Sequence, residues 1–167
     1  MMEKTTRANN ARSQRVALHE KRQPAHAPAV PFNVVQSLRV RPLSPPAALD
    51  FVAAHPHAAF IDVRTEMEFL LIGHALSSRC IPWIKEGEWE VNPHFIPDVM
   101  AIADFDTPIV LICRSGNRSS VAAVALLTVG FREVYDVADG FEGESDACHH
   151  RSPCNGWRYS GLPWAQC

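Results

Sequence analysis

Pro108–Gly130 reads PIVLICRSGNRSSVAAVALLTVG and decides the fold. A short β-branched apolar run, Ile109–Ile112, ends at Cys113. Six small or polar residues, Arg114–Ser119, then lead into an alanine-rich apolar stretch that closes on Gly130. The pattern predicts a strand over 109–113, a tight loop, and a helix from about Arg118 to Val129, with Gly130 as its left-handed terminator. Cys113 then stands where a strand ends and a helix begins. Unsatisfied backbone N–H groups and the positive end of the helix dipole both favour a thiolate there. The thiolate is the form of cysteine that attacks, and Arg114 and Arg118 add charge of the same helpful sign.

A cysteine at the end of an apolar run is by itself a good buried filler. The residues after it argue otherwise. Arg114-Ser115-Gly116-Asn117-Arg118-Ser119 cannot continue a buried strand, and Gly116 and Asn117 are residue types that tolerate positive φ. A loop that curls its N–H groups inward makes an anion-binding nest. Cys113 is therefore read as a nucleophile, and Arg114, Ser115, Gly116, Asn117, Arg118 and Ser119 as the loop that binds what it attacks.

The chain has 167 residues, room for one ordinary domain. Its 47% apolar content supplies a core, and a net charge of −2 makes no case for nucleic acid. The charge is uneven: residues 1–22 hold six Lys/Arg against Glu3 and Glu20, while the remainder has 10 basic and 16 acidic residues. Residues 1–34 read as a disordered basic leader passing into a Pro/Ala stretch, and 35–167 as the folded domain. The leader has no apolar run fit for a signal peptide or membrane span. A cytoplasmic location is the expectation, although a basic, acid-poor leader also fits an organelle transit peptide. The five cysteines (80, 113, 148, 154 and 167) are an odd number without an export signal, which favours thiol chemistry over a disulfide framework.

Alternating elements surround the central motif. A strand ends at Val40–Leu43, Ser44-Pro45 caps a helix running to Ala54, and Ala58–Val63 is a strand ending in Asp62-Val63-Arg64. Thr65-Glu66-Met67-Glu68 fits a capping box. A strand over Arg79–Pro82, a helix from Asn92-Pro93 to about Ala103 that Pro97 bends or divides in two, and a strand over Glu133–Val137 complete the series. Strands alternating with helices predict an α/β domain in three layers, its central sheet mostly parallel, of about five strands and flanked by helices. Ligands of such sheets sit at the strands' C-terminal ends, where Cys113 falls.

Asp62-Val63-Arg64, Glu68-Phe69, Gly73-His74, Ile81-Pro82, the loop Cys113–Ser119, Gly130-Phe131 and Gly161-Leu162-Pro163-Trp164 together resemble the single-domain rhodaneses over about Leu38–Trp164. The family's usual Gly-His-Ile-Pro-Gly-Ala is here Gly-His-Ala-Leu-Ser-Ser, losing the proline and second glycine at equal length. The resemblance implies a sulfurtransferase without a cofactor. Cys113 would take a sulfane sulfur from a small donor such as thiosulfate as a persulfide, then yield it to cyanide, a thiol or an acceptor protein. Donors of the loop would ring the terminal sulfur, charge-assisted contacts being worth about 1.5–3 kcal/mol each. Asp62 would brace the loop, and Arg64 would pair with an acid such as Glu68. The alternative for Arg64 is a place at the pocket rim.

Two other functions use the same residues. A persulfide carrier or protein-interaction module would load Cys113 without turning over small acceptors. Cysteine-dependent phosphatases and arsenate reductases hold a tetrahedral oxyanion in a similar loop. Here only four residues separate Cys113 from Arg118, one fewer than such phosphatases use, and Ile112 stands where they place histidine. The irregular insertion near 144–155 carries Cys148, His149, His150 and Cys154, a soft donor set that suits zinc. Its Cys-x5-Cys spacing is not a usual zinc pattern, and it reads equally as a polar loop, a reversible disulfide or a sulfur relay. Trp83 and Trp89 read as packing or as a border of the pocket mouth, Trp164 as a seal on the sheet's edge, His74 as a turn ligand and Cys80 as a buried small hydrophobe.

Overall fold

The computed structural model describes residues 39–87 and 90–166. The leader, Trp89 and Cys167 lie outside the described residues. Five strands form a wholly parallel sheet in the order β1-β6-β5-β2-β4: β1 Arg41–Leu43, β2 Ala59–Asp62, β4 Arg79–Cys80, β5 Ile109–Ile112 and β6 Val134–Val137. A separate antiparallel ribbon pairs β3 His74–Ala75 with β7 Trp164–Ala165. The helices are α1 Pro45–Ala54, α2 Glu66–Leu71, α3 Phe95–Met100 and α4 Asn117–Val129.

The expected α/β layering is present. β5 is buried along its whole length because both its faces are covered. On one face Ile109, Leu111 and Cys113 meet Ala122, Ala123, Leu126 and Leu127 of α4, together with Phe95 and Val99 of α3. On the other, Val110 and Ile112 meet Ala48 of α1, Phe141 and Trp157. The central motif therefore has no polar face to spare except at its C-terminal end.

Local expectations held where local chemistry dominates. Ser44 accepts from the Ala47 N–H at the start of α1, Thr65 and Glu68 close a full capping box on α2, and Gly130 ends α4 at φ 115°. His74 bonds the Phe69 carbonyl and stacks on its ring. Three readings need correction. Pro97 bends nothing: it is the third residue of α3, where its missing N–H is one of the helix's unpartnered donors, and α3 stops at Met100 rather than Ala103. Trp164 stands in the β3–β7 ribbon, 38% exposed, beneath Arg158 and edge-on to Phe141. The tryptophan that fills the core is Trp157, wholly buried, with its indole N–H donated to the Pro163 carbonyl. Cys80 is half-buried rather than buried, its thiol 3.8 Å from the Arg64 carbonyl.

Candidate active site

Cys113 follows β5 directly, and the loop to α4 is held from behind. The Cys113 carbonyl accepts from the Phe141 N–H at 2.8 Å, and the Arg114 carbonyl accepts from Glu142 and Gly143 at 3.0 and 3.1 Å. Carbonyls turned toward the 138–143 segment leave the loop's N–H groups facing the other way. Two close approaches make this possible. Gly116 has φ 91°, and a Cβ there would lie 2.0 Å from the Ala138 carbonyl oxygen. A Cβ on Gly140 would lie 2.6 Å from the Cys113 and Arg114 backbone. Glycine is the residue that fits both places.

The Gly116 N–H and the Ser119 hydroxyl each point at Cys113 Sγ from 3.2 Å. Asn117, Arg118 and Ser119 form the first turn of α4, whose N–H groups have no acceptor within the helix. Asn117 is helical, so Gly116 alone supplies the loop's positive φ. Cys113 is only 1% exposed, yet it lines a cavity of about 490 Å³. Arg114, Ser115, Asn117 and Arg118 form one wall of that cavity, and Thr65, Glu68 and residues 84–87 form the other. The thiol is thus nearly enclosed and still part of the cavity wall.

Glu68 and Arg118, fifty residues apart in the chain, make a two-pronged ion pair across this pocket, both contacts 2.7 Å. Burial would raise the Glu68 carboxyl. The hydrogen bonds from Arg118 and the Thr65 N–H, with the charges of Arg118 and Arg64, outweigh it and hold the group at about 2. Burial likewise works against the Arg118 cation, but the bond to Glu68 prevails and its pKa is raised. The Arg118 charge is therefore already balanced by Glu68, while Arg114 remains exposed on the same wall.

The expected pairing of Arg64 with Glu68 is not what forms. Arg64 and Asp62 are both fully buried and bind each other, with Nη2 at 2.6 Å from Oδ2 and Nε at 3.0 Å from Oδ1. Arg64 also donates to the Gly73 carbonyl and lies 4.3 Å over the Phe141 ring. The capping box turns Glu68 back over Thr65 and toward Arg118, while Asp62, two residues from Arg64, meets the guanidinium's fork at contact distance. Asp62 spends its oxygens on Arg64, and Arg64 is away from the pocket rim. The pair ties the end of β2 to the α2–β3 turn and to the segment backing the Cys113 loop. Next to it, Cys80 is pushed up to about 12 by burial first and then by Asp62 and Glu66, which suits an inert thiol.

The insertion behaves differently. Asp146 Oδ1 accepts from the Cys148 and His150 N–H groups, and Ser145 bridges Arg151, so the segment is a turn built around one aspartate. Cys148, His149, His150 and Cys154 are exposed, both cysteines are free, and the described residues hold no group of three donors fit for a metal ion. Sequence reasoning missed Thr65, Ile84 and Lys85 as pocket walls. Trp83 packs edge-on against Phe95 instead of lining the pocket.

The model of the rhodanese-like domain matches residues 46–147. The chain belongs to the rhodanese-like family. An uncharacterized Rickettsia conorii protein is 29% identical over 121 residues, which cover 70% of this chain and 90% of that one. The thiosulfate sulfurtransferase GlpE of Pseudomonas aeruginosa is 34% identical over 85 residues, 51% of this chain and 67% of the relative. The crystal structure of Rv0390 from M. tuberculosis superposes with a TM-score of 0.70 at 32% identity, covering 77% of this chain and 98% of that one. A polysulfide-sulfur transferase from Wolinella succinogenes shares the fold at 20% identity and a TM-score of 0.53. Among the described residues no helix is long and apolar enough to cross a membrane.

Proposed function

We propose that this protein is a sulfurtransferase that carries a sulfane sulfur as a persulfide on Cys113. The observation that carries the reading is the Cys113 sulfur at the floor of an open cavity, with a backbone N–H and a hydroxyl both aimed at it from 3.2 Å. With thiosulfate as donor, the Cys113 thiolate forms a bond to the outer sulfur. The sulfur–sulfur bond of thiosulfate breaks, and its electron pair leaves with sulfite. The enzyme then holds a persulfide anion, and the first-turn N–H groups of α4 face its terminal sulfur. An acceptor, cyanide or a thiolate, bonds to that terminal sulfur, and the electron pair of the persulfide bond returns to Cys113. Two half-reactions through one covalent intermediate give ping-pong kinetics.

Each wall of the pocket has its part. Arg114 offers positive charge to an anionic donor, and the Glu68–Arg118 pair fixes the loop's far side without adding net charge. The GlpE resemblance supports thiosulfate as a test donor, and the short spacing between Cys113 and Arg118 suits one sulfur atom better than a tetrahedral phosphate. Intact mass after exposure to thiosulfate tests the reading. The native chain gains the mass of one sulfur, Cys113→Ser gains none, and an adduct that survives the substitution overturns it.

A further inference from the structure

α2 is held by its ends rather than by a buried face. None of its six residues is buried, and the Thr65–Glu68 capping box fixes its start. Glu68 turns to Arg118, and Phe69 stacks on His74. What the helix then gives to solvent is apolar: Met67, Leu70 and Leu71 are 57%, 45% and 62% exposed. Positions i, i+3 and i+4 of a helix are neighbours on one face. The three side chains therefore form one stripe. A lone surface leucine needs no account, but a contiguous apolar stripe marks a surface that meets something.

The stripe lines a second cavity of about 500 Å³, with Pro82 among its walls. This cavity adjoins the one that holds Cys113. Lys85 and Glu86 line both, and α2 is divided between them. Thr65 and Glu68 face the nucleophile's cavity, whereas Glu66, Met67, Leu70 and Leu71 face the second. The two also differ in charge. Glu66 and Glu86 are exposed at the apolar groove, and exposed Glu90 adds a third carboxylate, its carbonyl accepting from the Lys85 N–H at 3.1 Å. The Cys113 cavity instead carries the exposed Arg114.

We propose that the groove along α2 seats a protein acceptor of the sulfur, an extended segment whose cysteine enters the Cys113 cavity. Apolar side chains beside that cysteine lie on Met67, Leu70 and Leu71, and Lys or Arg side chains face Glu66 and Glu86. The proposal rests on the sulfurtransfer reading of Cys113 and names the partner of that site. Burial of the nucleophile, which is 1% exposed, requires the acceptor thiol to come in through the cavity. An apolar stripe with an acidic rim offers nothing to cyanide or to an anionic small thiol, and both features favour an apolar, basic segment. In the transfer, the acceptor thiolate forms a bond to the terminal sulfur of the Cys113 persulfide. The bond from that sulfur to Cys113 Sγ breaks, its electron pair stays on Cys113, and the acceptor leaves as a persulfide anion.

The test gives thiosulfate-loaded native chain and M67E/L71E two acceptors, cyanide and the peptide acetyl-Lys-Leu-Gly-Cys-Leu-Lys-amide, and follows loss of the sulfur by intact mass. The variant keeps its rate with cyanide and loses about tenfold with the peptide. Glutamates in place of the peptide's lysines slow the native chain about threefold, and E66Q narrows that gap. Leu71→Ala carries the test if the double variant does not fold. Fluorescence anisotropy of the same peptide, with serine for cysteine and a fluorescein label, reads docking without sulfur chemistry. The native chain binds it, and M67E/L71E binds it about tenfold more weakly. Equal peptide rates and equal binding in the native chain and the variant overturn the groove. A native dimer that M67E/L71E turns into a monomer overturns it too, because a second copy then covers the stripe. Peptide binding that M67E/L71E loses, without sulfur uptake from thiosulfate, sinks the transferase reading and leaves the groove standing.

Discussion

Residues 113–119 and 144–155 both set cysteine beside cationic or imidazole side chains, and composition alone ranks the second segment as the richer in ligands. The structure separates them by what stands behind the backbone. In the first, two carbonyls are tied to the N–H groups of 141–143 and the chain passes into a thirteen-residue helix, so the donors converge on one sulfur. In the second, Asp146 gathers the N–H groups inward and leaves Cys148, His149, His150 and Cys154 exposed. A reactive thiol is made by where the amides point, and nucleophilic residue types are the lesser part.

Four tests press on that contrast. Cys113→Ser abolishes thiosulfate:cyanide turnover, whereas Cys148→Ser with Cys154→Ser keeps it within about twofold, the usual reach of surface changes of ~0.5 kcal/mol. Equal losses in both would erase the distinction. Gly116→Ala forces a Cβ into the Ala138 carbonyl at positive φ, and denaturant unfolding will show a loss of at least about 3 kcal/mol. Asp136→Asn acts the other way. Burial raises this carboxyl, so the folded chain binds its proton more tightly than the unfolded one, and the group's contribution to stability falls as pH rises from about 4 through about 6. The variant gains by as much as about 3 kcal/mol at pH 8 and by little at pH 3, as paired unfolding curves will reveal. Glu68→Gln is the mildest. The depressed Glu68 carboxyl stabilises the fold above its unfolded value of 4.5, and that stability is lost as pH falls toward 2. Screening at a partly exposed pair leaves about 1–2 kcal/mol at neutral pH, absent in the variant, together with a lower KM for an anionic donor, because the Arg118 charge is no longer neutralised.

Much of this site was legible because it is written in adjacent residues. The strand ending at Cys113, the glycine turn and the helix after it depend on short-range sterics, as does the Thr65–Glu68 box. The pairings were not legible. Glu68 finds Arg118 because β2 and β5 lie side by side in the sheet, which no local pattern states, and Arg64 then pairs with its near neighbour Asp62. Asp136 escaped notice for a related reason. Its signal, a carboxylate in the run Val134–Val137, becomes a buried acid only when the sheet sets it between Leu111 of β5 and Pro42 of β1. Pro97 misled because its effect depends on its place within a helix, and the start of α3 was read too early.

The clamp behind the Cys113 loop is itself held from further along the chain. Gly140 and Phe141 accept from the N–H groups of Trp157 and Arg158, and the Trp157 indole is wholly enclosed. During synthesis Cys113 emerges well before these supports. A ribosome-bound chain stalled ahead of Trp157 thus carries the Cys113 loop without the scaffold that aims its amides, so the loop takes its final shape late in translation, when the indole docks.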